Sequence, residues 1–300
     1  MRIRLSTRRA LWAYAFLAIP LVFFLVIRIW PMLEAFQLSV TRWHVDPIQR
    51  VFVGFDHFRR LLSDARFLRA LYNTALYAAI AVPAQVALGL AIAMLLNGIK
   101  RGRGLFRAIY FAPYVTPAVA IAWAWSYILS PHLGIVNSIF RSIGLPPQPF
   151  LTSPTQALPT VAAIVVWQFL GFHVVIFLVA LNSIPREIYE AARVDGAVGW
   201  SLFRWVTLPL INPSIVFAVV MATASPSIGI LQLFTQVMNL RWGDPGGPLQ
   251  STLTVVLYMY QVAFERFDFS YAAAVVVFLF AIIMAVSLIQ LRVLRRRFEY

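Results

Sequence analysis

The chain has no cysteine, which excludes disulfides and thiolate sites. Lysine is nearly absent. The only one, Lys100, sits in Ile99-Lys100-Arg101, so the Gly-Lys-Ser/Thr pattern of a phosphate-binding loop is missing. The histidines His44, His57, His132 and His173 are scattered and form no HExxH, which leaves no metal site to predict. No GxSxG nucleophile elbow occurs. Charge is scarce, at 12% of residues, and carboxylates inside the apolar runs are scarcer. Glu34, near the outer end of the first run, is the only candidate, and Arg28 nearby can snorkel to the headgroups. Proton- and sodium-driven carriers place an Asp or Glu at mid-membrane, so an ion-coupled carrier is disfavoured. A polytopic membrane enzyme would need Asp, Glu or His clustered at one membrane face, and no such cluster is present. Energised work by this chain must therefore draw on a partner.

What the chain has is grease. It carries 61% hydrophobic and 15% aromatic residues over 300 positions, with mean hydropathy +0.79. A soluble domain of this size could not hide so much apolar surface, so the expected class is an all-α polytopic membrane protein. The net charge of +14 comes almost wholly from arginine. Alone it would suggest nucleic acid, but the arginines fall between apolar runs, where membrane topology accounts for them. The start, Arg2-Ile3-Arg4-Leu5-Ser6-Thr7-Arg8-Arg9, has the charge of a signal peptide. The run behind it is too long and lacks a small-x-small cleavage site, so it reads as a retained span.

A membrane helix needs about 20 mostly apolar residues. Six runs qualify: Leu11–Phe36, Leu71–Leu96, Leu105–Leu129, Leu158–Leu181, Pro213–Val237 and Phe269–Leu291. Pro113 and Pro117 make the third the weakest. With six spans, four basic clusters share one side: residues 2–9; Lys100, Arg101, Arg103 and Arg107; Arg186, Arg193 and Arg204; and Arg292, Arg295, Arg296 and Arg297. The positive-inside rule makes that side, and both termini, cytoplasmic. The loop after the first span runs against the rule with Arg42, Arg50, Arg59, Arg60, Arg66 and Arg69. It also holds Asp46, Asp56 and Asp64, and reads as a small folded cap. The expected plan is a basic N-terminus (1–10), one six-helix membrane domain (11–291) with an external cap at about 41–70 and a cytoplasmic loop at 185–212, and a basic tail (292–300). Pro146-Pro147-Gln148-Pro149 and the 243–248 turn mark non-helical outer loops.

The loop at 185–212 is the most informative segment. Pro185 suits the first position of a helix, with Ser183 or Asn182 as cap. Asp195-Gly196 breaks that helix, glycine taking left-handed angles cheaply and aspartate capping the next helix. A second helix from about Val198 ends before Pro209, and Pro213 opens the fifth span. Such a helix–turn–helix, joined firmly to two spans, can transmit force.

Glu-Ala-Ala-x-x-Asp-Gly-Ala at 190–197, followed by Phe203 and Leu208-Pro209-x-x-x-Pro213, resembles the EAA motif of permease subunits in bacterial ABC importers. The motif is long and specific. The resemblance extends to Phe52-Val53-Gly54-Phe55-Asp56-His57-Phe58, Phe111-Ala112-Pro113, Gly246-Gly247-Pro248 with Ser251-Thr252, Tyr260-Gln261-Val262-Ala263-Phe264, and the Arg-Arg-Arg-Phe-Glu-Tyr ending. These runs are similar to the carbohydrate class, in particular the first permease of the glycerol-3-phosphate and maltose systems. Two departures are Pro226 within Ser225-Pro226-Ser227, and Ser270 before Tyr271 where a glycine is common. The resemblance implies the type I importer permease fold in a bacterial inner membrane. It also implies a second permease, two ATPase subunits that bind ATP and magnesium, an extracytoplasmic solute-binding protein, and no cofactor, metal or nucleic acid on this chain. By the same analogy Glu190 pairs with a basic residue of the ATPase. Asp195 and Gly196 fix the turn, Ala191, Ala192 and Ala197 allow close packing, and Phe203 and Pro209 anchor and end the second helix.

Polar residues within spans four to six are the candidates for a substrate path: Trp167, Gln168, His173, Ser225, Ser227 and Gln232, with span six beginning near Tyr271. Sugars bind aromatic faces flanked by hydrogen-bonding side chains, so Trp167 with Gln168 is a candidate platform. No span holds a central arginine or lysine, which favours a neutral carbohydrate. The alternative is glycerol-3-phosphate or a glycerophosphodiester, with a polytopic membrane enzyme as the remote reading.

Overall fold

The computed structural model describes residues 5–44, 49–99, 102–225, 229–230, 233–240 and 245–294. Asp46, Lys100, Arg101 and the basic residues 2–4 and 295–297 lie outside them. The described chain is all-α apart from one two-stranded hairpin. Helices long and apolar enough to cross a membrane are α1 (Trp12–Ser39), α3 (Ala65–Gly98), α7 (Ala157–Asn182) and α13 (Phe269–Leu294). Two bent pairs raise the number to six if each is one span. They are Gly104–Val115 (α4) with Ala118–Ile128 (α5), at 96°, and Trp200–Leu210 (α9) with Asn212–Ala224 (α10), at 68°.

Proline explains the breaks. Thr116 is extended (ψ 135°) ahead of Pro117, so the third run is two helices and not one. Ser225 is likewise extended (ψ 133°) ahead of Pro226. The fifth run therefore ends at Ala224, and a separate helix α11 (Leu233–Asn239) carries residues that hydropathy assigns to the same span. In α1, Pro31 displaces the carbonyl four residues back, and a π turn forms over Leu25–Ile29. The second span begins at Ala65, six positions before the expected Leu71, so Arg66 and Arg69 lie in its first turns and not in the cap. Two further helices carry no assignment from sequence, α6 (Ile135–Ser142) and the apolar α12 (Val255–Glu265).

Where the sequence suggests one domain, the chain divides into two compact units: Met1–Asp64 with Met259–Leu279, and Ala65–Tyr258 with Phe280–Tyr300. In the first, β1 (Thr41–Arg42) pairs antiparallel with β2 (Val51–Phe52), ahead of helix α2 (Asp56–Ser63). Two arginines of this loop, Arg50 and Arg60, are neutralised locally. Arg50 meets Glu34 at 2.7 Å; Arg60 meets Asp268 at 3.0 Å and stacks 4.1 Å over the Tyr271 ring. Tyr271 Oη donates to Asp64 at 2.8 Å.

The second unit is built around α7, where helix–helix packing is closest. Glycine permits the approach. A methyl group at Gly171 would collide with the Tyr110 carbonyl and come 2.7 Å from Phe111 Cα on α4, and one at Gly89 on α3 would lie 2.6 Å from His173 Cβ. Small residues at such contacts let membrane helices gain dispersion energy that lipid cannot match. Leu90, Ala93, Leu96, Val174, Phe177 and Leu181 form the buried centre. Asn73 on α3 donates to the carbonyls of Gln250 (2.8 Å) and Leu253 (2.9 Å), holding a turn in which Leu249 and Gln250 have positive φ.

Candidate functional site

Helix α8 (Arg186–Val194) leaves the end of α7 through Ser183–Pro185. Its N-cap residue is Pro185, extended at ψ 141°, and not a serine or asparagine two or three positions earlier. Ser183 and Asn182 instead close α7, bonding back to the carbonyls of Ala180 (2.8 Å) and Leu178 (2.6 Å). Helix α8 ends as its sequence dictates. Gly196 has φ +84°, its N–H bonds Arg193 O at 3.0 Å, and Ala197 N–H bonds Ala192 O at 2.8 Å. This is a Schellman closure with glycine at the left-handed position. Asp195 is the C-cap of α8 and makes no side-chain cap to the next helix, contrary to the expected role. That helix, α9, starts after Gly199 and is pinned where Ser201 Oγ accepts from Val198 N–H at 3.0 Å. It does not stop before Pro209. A π turn over Phe203–Thr207 relieves the proline, and helix continues to Leu210.

The loop is fixed to the core by its apolar side. Ile188, Tyr189, Phe203, Leu208 and Leu210 pack half-buried against the central cluster, and Tyr189 Oη lies 3.3 Å from Thr207 Oγ1. Its other side is bare. No residue of α8 is buried. Glu190, Ala191, Asp195 and Gly196 are exposed, and Ala192, Ala197 and Pro209 half-buried. Among the described residues, Glu190 makes no ion pair. The loop is thus an anchored platform that presents the carboxylates of Glu187, Glu190 and Asp195, Ala191 and a tight turn outward.

The candidate path residues that the structure describes stand in different surroundings. Trp167 is 42% exposed and meets Trp125 edge-on at 5.4 Å. Its neighbour Gln168 points inward, buried, and accepts a hydrogen bond from Gln236 Nε2. The two therefore do not form one platform, because consecutive helical residues face different ways. His173 is fully buried, bonded to Phe169 O at 3.1 Å and packed on Gly89, the position of a helix-packing histidine. Ser225 closes α10, its carbonyl accepting from Gly229 N–H at 2.9 Å. Ser227 and Gln232 lie outside the described residues.

Sequence reasoning missed Gln236 and Gln85. Both are buried among apolar helices and Gln236 bonds Gln168. The signal was available: an uncharged amide in an apolar helix is costly unless it has a partner. No group of three or more metal-ligating side chains occurs among the described residues.

Comparison with known proteins places this geometry. Residues 85–300 match the family model described as binding-protein-dependent transport system inner membrane component. The diacetylchitobiose uptake system permease NgcF of Streptomyces coelicolor is 35% identical, covering 94% of this chain and 81% of that protein. The lactose transport system permease LacF of Rhizobium radiobacter is 34% identical over 95% and 94%. A chain in the crystal structure of a bacterial ABC transporter that imports the acidic polysaccharide alginate superposes with TM-score 0.83 at 26% identity, covering 98% of each chain.

Proposed function

Because the chain belongs to the binding-protein-dependent transport system inner membrane component family, we propose how it performs a permease's part in a sugar ABC importer. As such a permease it is a transport component and not an enzyme, a multi-pass protein of the bacterial inner membrane that works with a partner permease and an ATPase. The remaining steps are our reading. Six spans with both termini in the cytoplasm make half of a translocation path, and a second, different permease makes the other half. Two ATPase subunits bind ATP and magnesium, and an extracytoplasmic protein delivers the substrate.

The observation that carries the coupling role is the two-sided loop: anchored to the core by Ile188, Tyr189 and Phe203, and open outward at Glu190. Glu190 would pair with a basic residue of an ATPase cleft. Closure of the ATPase dimer on nucleotide would then move α8 and α9 as one piece and shift the spans between inward- and outward-facing states. Nucleotide achieves this only by binding one state better than the other.

The substrate reading is a neutral sugar or oligosaccharide. Among the described residues the buried interior holds amides and no arginine or lysine: Gln85, Gln168 and Gln236 are buried. The extended backbone at Ser225, ahead of Pro226 and Gln232, is a break in a membrane helix of the kind that lines cavities. Glycerol-3-phosphate or a glycerophosphodiester is the second reading, and would need a cation from the other permease.

A mild-detergent pull-down from native membranes tests the assembly. An ATPase, a second permease and a solute-binding protein are expected in the eluate, and the binding protein is then screened against sugars and phosphodiesters. Recovery of this chain alone, under conditions that preserve a known importer, would overturn the coupling reading.

A further inference from the structure

Helix α6 takes no part in the coupling loop or the candidate path, and its side chains fall into three arcs. Val136, Asn137 and Phe140 turn towards the chain. Asn137 is fully buried, and Phe140 packs on Phe150 with ring centres 6.2 Å apart. Ser138, Arg141 and Ser142 make an exposed polar arc, in which Arg141 donates to Ser138 Oγ at 3.3 Å. Ile135, Ile139 and Ile143 share the third arc, because residues four apart are neighbours on a helix surface. They are 63%, 53% and 64% exposed. Leu133 and Leu145, just beyond either end of the helix, are exposed as well. A bare aliphatic stripe of this kind needs a cover.

Hydrogen bonds fix where α6 stands. The Asn137 amide donates to Ser130 O at 3.3 Å, two residues past the end of α5. It also exchanges two bonds of 2.8 Å with the backbone of Gln148. Gln148 in turn accepts from Gln156, the residue before α7, at 3.0 Å. Helix α7 is long and apolar enough to cross a membrane, and α5 is the second half of an apolar bent pair. The end of α5 and the start of α7 therefore meet at one bilayer boundary, and α6 is bonded to both. The bare face of α5 agrees with that level. Val119, Trp123 and Tyr127 are exposed at intervals of four, and Tyr127 stands one residue before the helix end, the place of an interfacial aromatic. The stripe on α6 is purely aliphatic and lacks the tyrosine, tryptophan and arginine anchors of protein interfaces. An aliphatic arc beside a polar one is the pattern of a helix that lies in a membrane surface.

We propose that α6 is an interfacial anchor. It lies along the bilayer surface with Ile135, Ile139 and Ile143 among the lipid acyl chains and Ser138, Arg141 and Ser142 in water. The anchor would hold the adjoining ends of α5 and α7 at a set depth. It rests on this chain being a membrane protein, and not on the coupling or substrate readings.

The chain has no cysteine, so a single introduced thiol can be labelled alone. The test places a fluorescent label at I135C, S138C, I139C, S142C or I143C in the full-length chain, purified with its native partners and reconstituted in nanodiscs. Two quenchers are compared, a nitroxide on the lipid acyl chain and iodide in the water. At positions 135, 139 and 143 the lipid nitroxide should quench several-fold more strongly than iodide, and at 138 and 142 the order should reverse. Adding Ile139→Asp to I135C should remove most of the lipid quenching at position 135, whereas adding Ser138→Asp should leave it. Strong iodide quenching at all five positions would overturn the proposal. So would labels at 135, 139 and 143 shielded from both quenchers, since protein would then cover that face. Lipid quenching at position 135 that Ile139→Asp does not change would overturn it too.

Discussion

Helices α7 and α8 are joined by three residues, yet they live under opposite constraints. Two-thirds of the apolar window of α7 is buried inside the chain, whereas no residue of α8 is. The polar groups of α7 face inward and bond to their own unit: Gln168 to Gln236, and His173 to Phe169. The charges of α8 face outward. A helix whose surroundings are all supplied by its own chain is fixed by packing. A helix held only by Ile188 and Tyr189, with the rest of its circumference bare, is fixed in position but presented to something else. Substitutions in α7 should therefore cost folded protein, and substitutions on the outer face of α8 should cost function alone.

The largest loss is expected from Gly171→Leu. Its side chain has no room against the backbone of Tyr110 and Phe111, so the variant should fail to accumulate as monodisperse protein on size-exclusion chromatography. Phe177→Ala should come next. In lipid the transfer-from-water part of the usual penalty is missing, and the cavity part, roughly 2 kcal/mol, remains. It should appear as a lowered thermal midpoint in detergent. Gln168→Leu leaves Gln236 without its partner in a dry interior, at about 1–2 kcal/mol by the same assay. Gly196→Ala has open space around it and suffers only the left-handed backbone, about 1 kcal/mol. Glu190→Lys should change the midpoint least, by under about 0.5 kcal/mol, since an exposed residue outside any described ion pair contributes little to folding. Should Glu190→Lys destabilise as much as Phe177→Ala, the contrast between the two helices would collapse.

Much of this was legible in the sequence because it rested on local rules. The span Phe269–Leu294 starts where its apolar run starts, and the Asp195-Gly196 break is a helix terminus that glycine chemistry requires. The misses came from proline and from partners distant in sequence. Hydropathy averages over a window and reads through Pro117 and Pro226, so it returns two continuous spans where the backbone is broken. Conversely, Pro209 reads as a stop, but a π turn absorbs it. The Gln168–Gln236 bond joins residues 68 positions apart, and the Arg60–Asp268 pair joins residues 208 apart. No periodicity announces either. The platform of Trp167 with Gln168 failed for a geometric reason that the sequence did contain, because neighbours on a helix point about 100° apart.

The most direct measurement is uptake and ATP hydrolysis by the assembled importer in proteoliposomes, with Glu190→Lys compared against the wild-type chain. The loop account predicts a complex that reaches the membrane in normal amount but neither transports nor raises its ATPase rate when loaded binding protein is added. Gly196→Asp should behave in the same way. Normal uptake by both variants would contradict it.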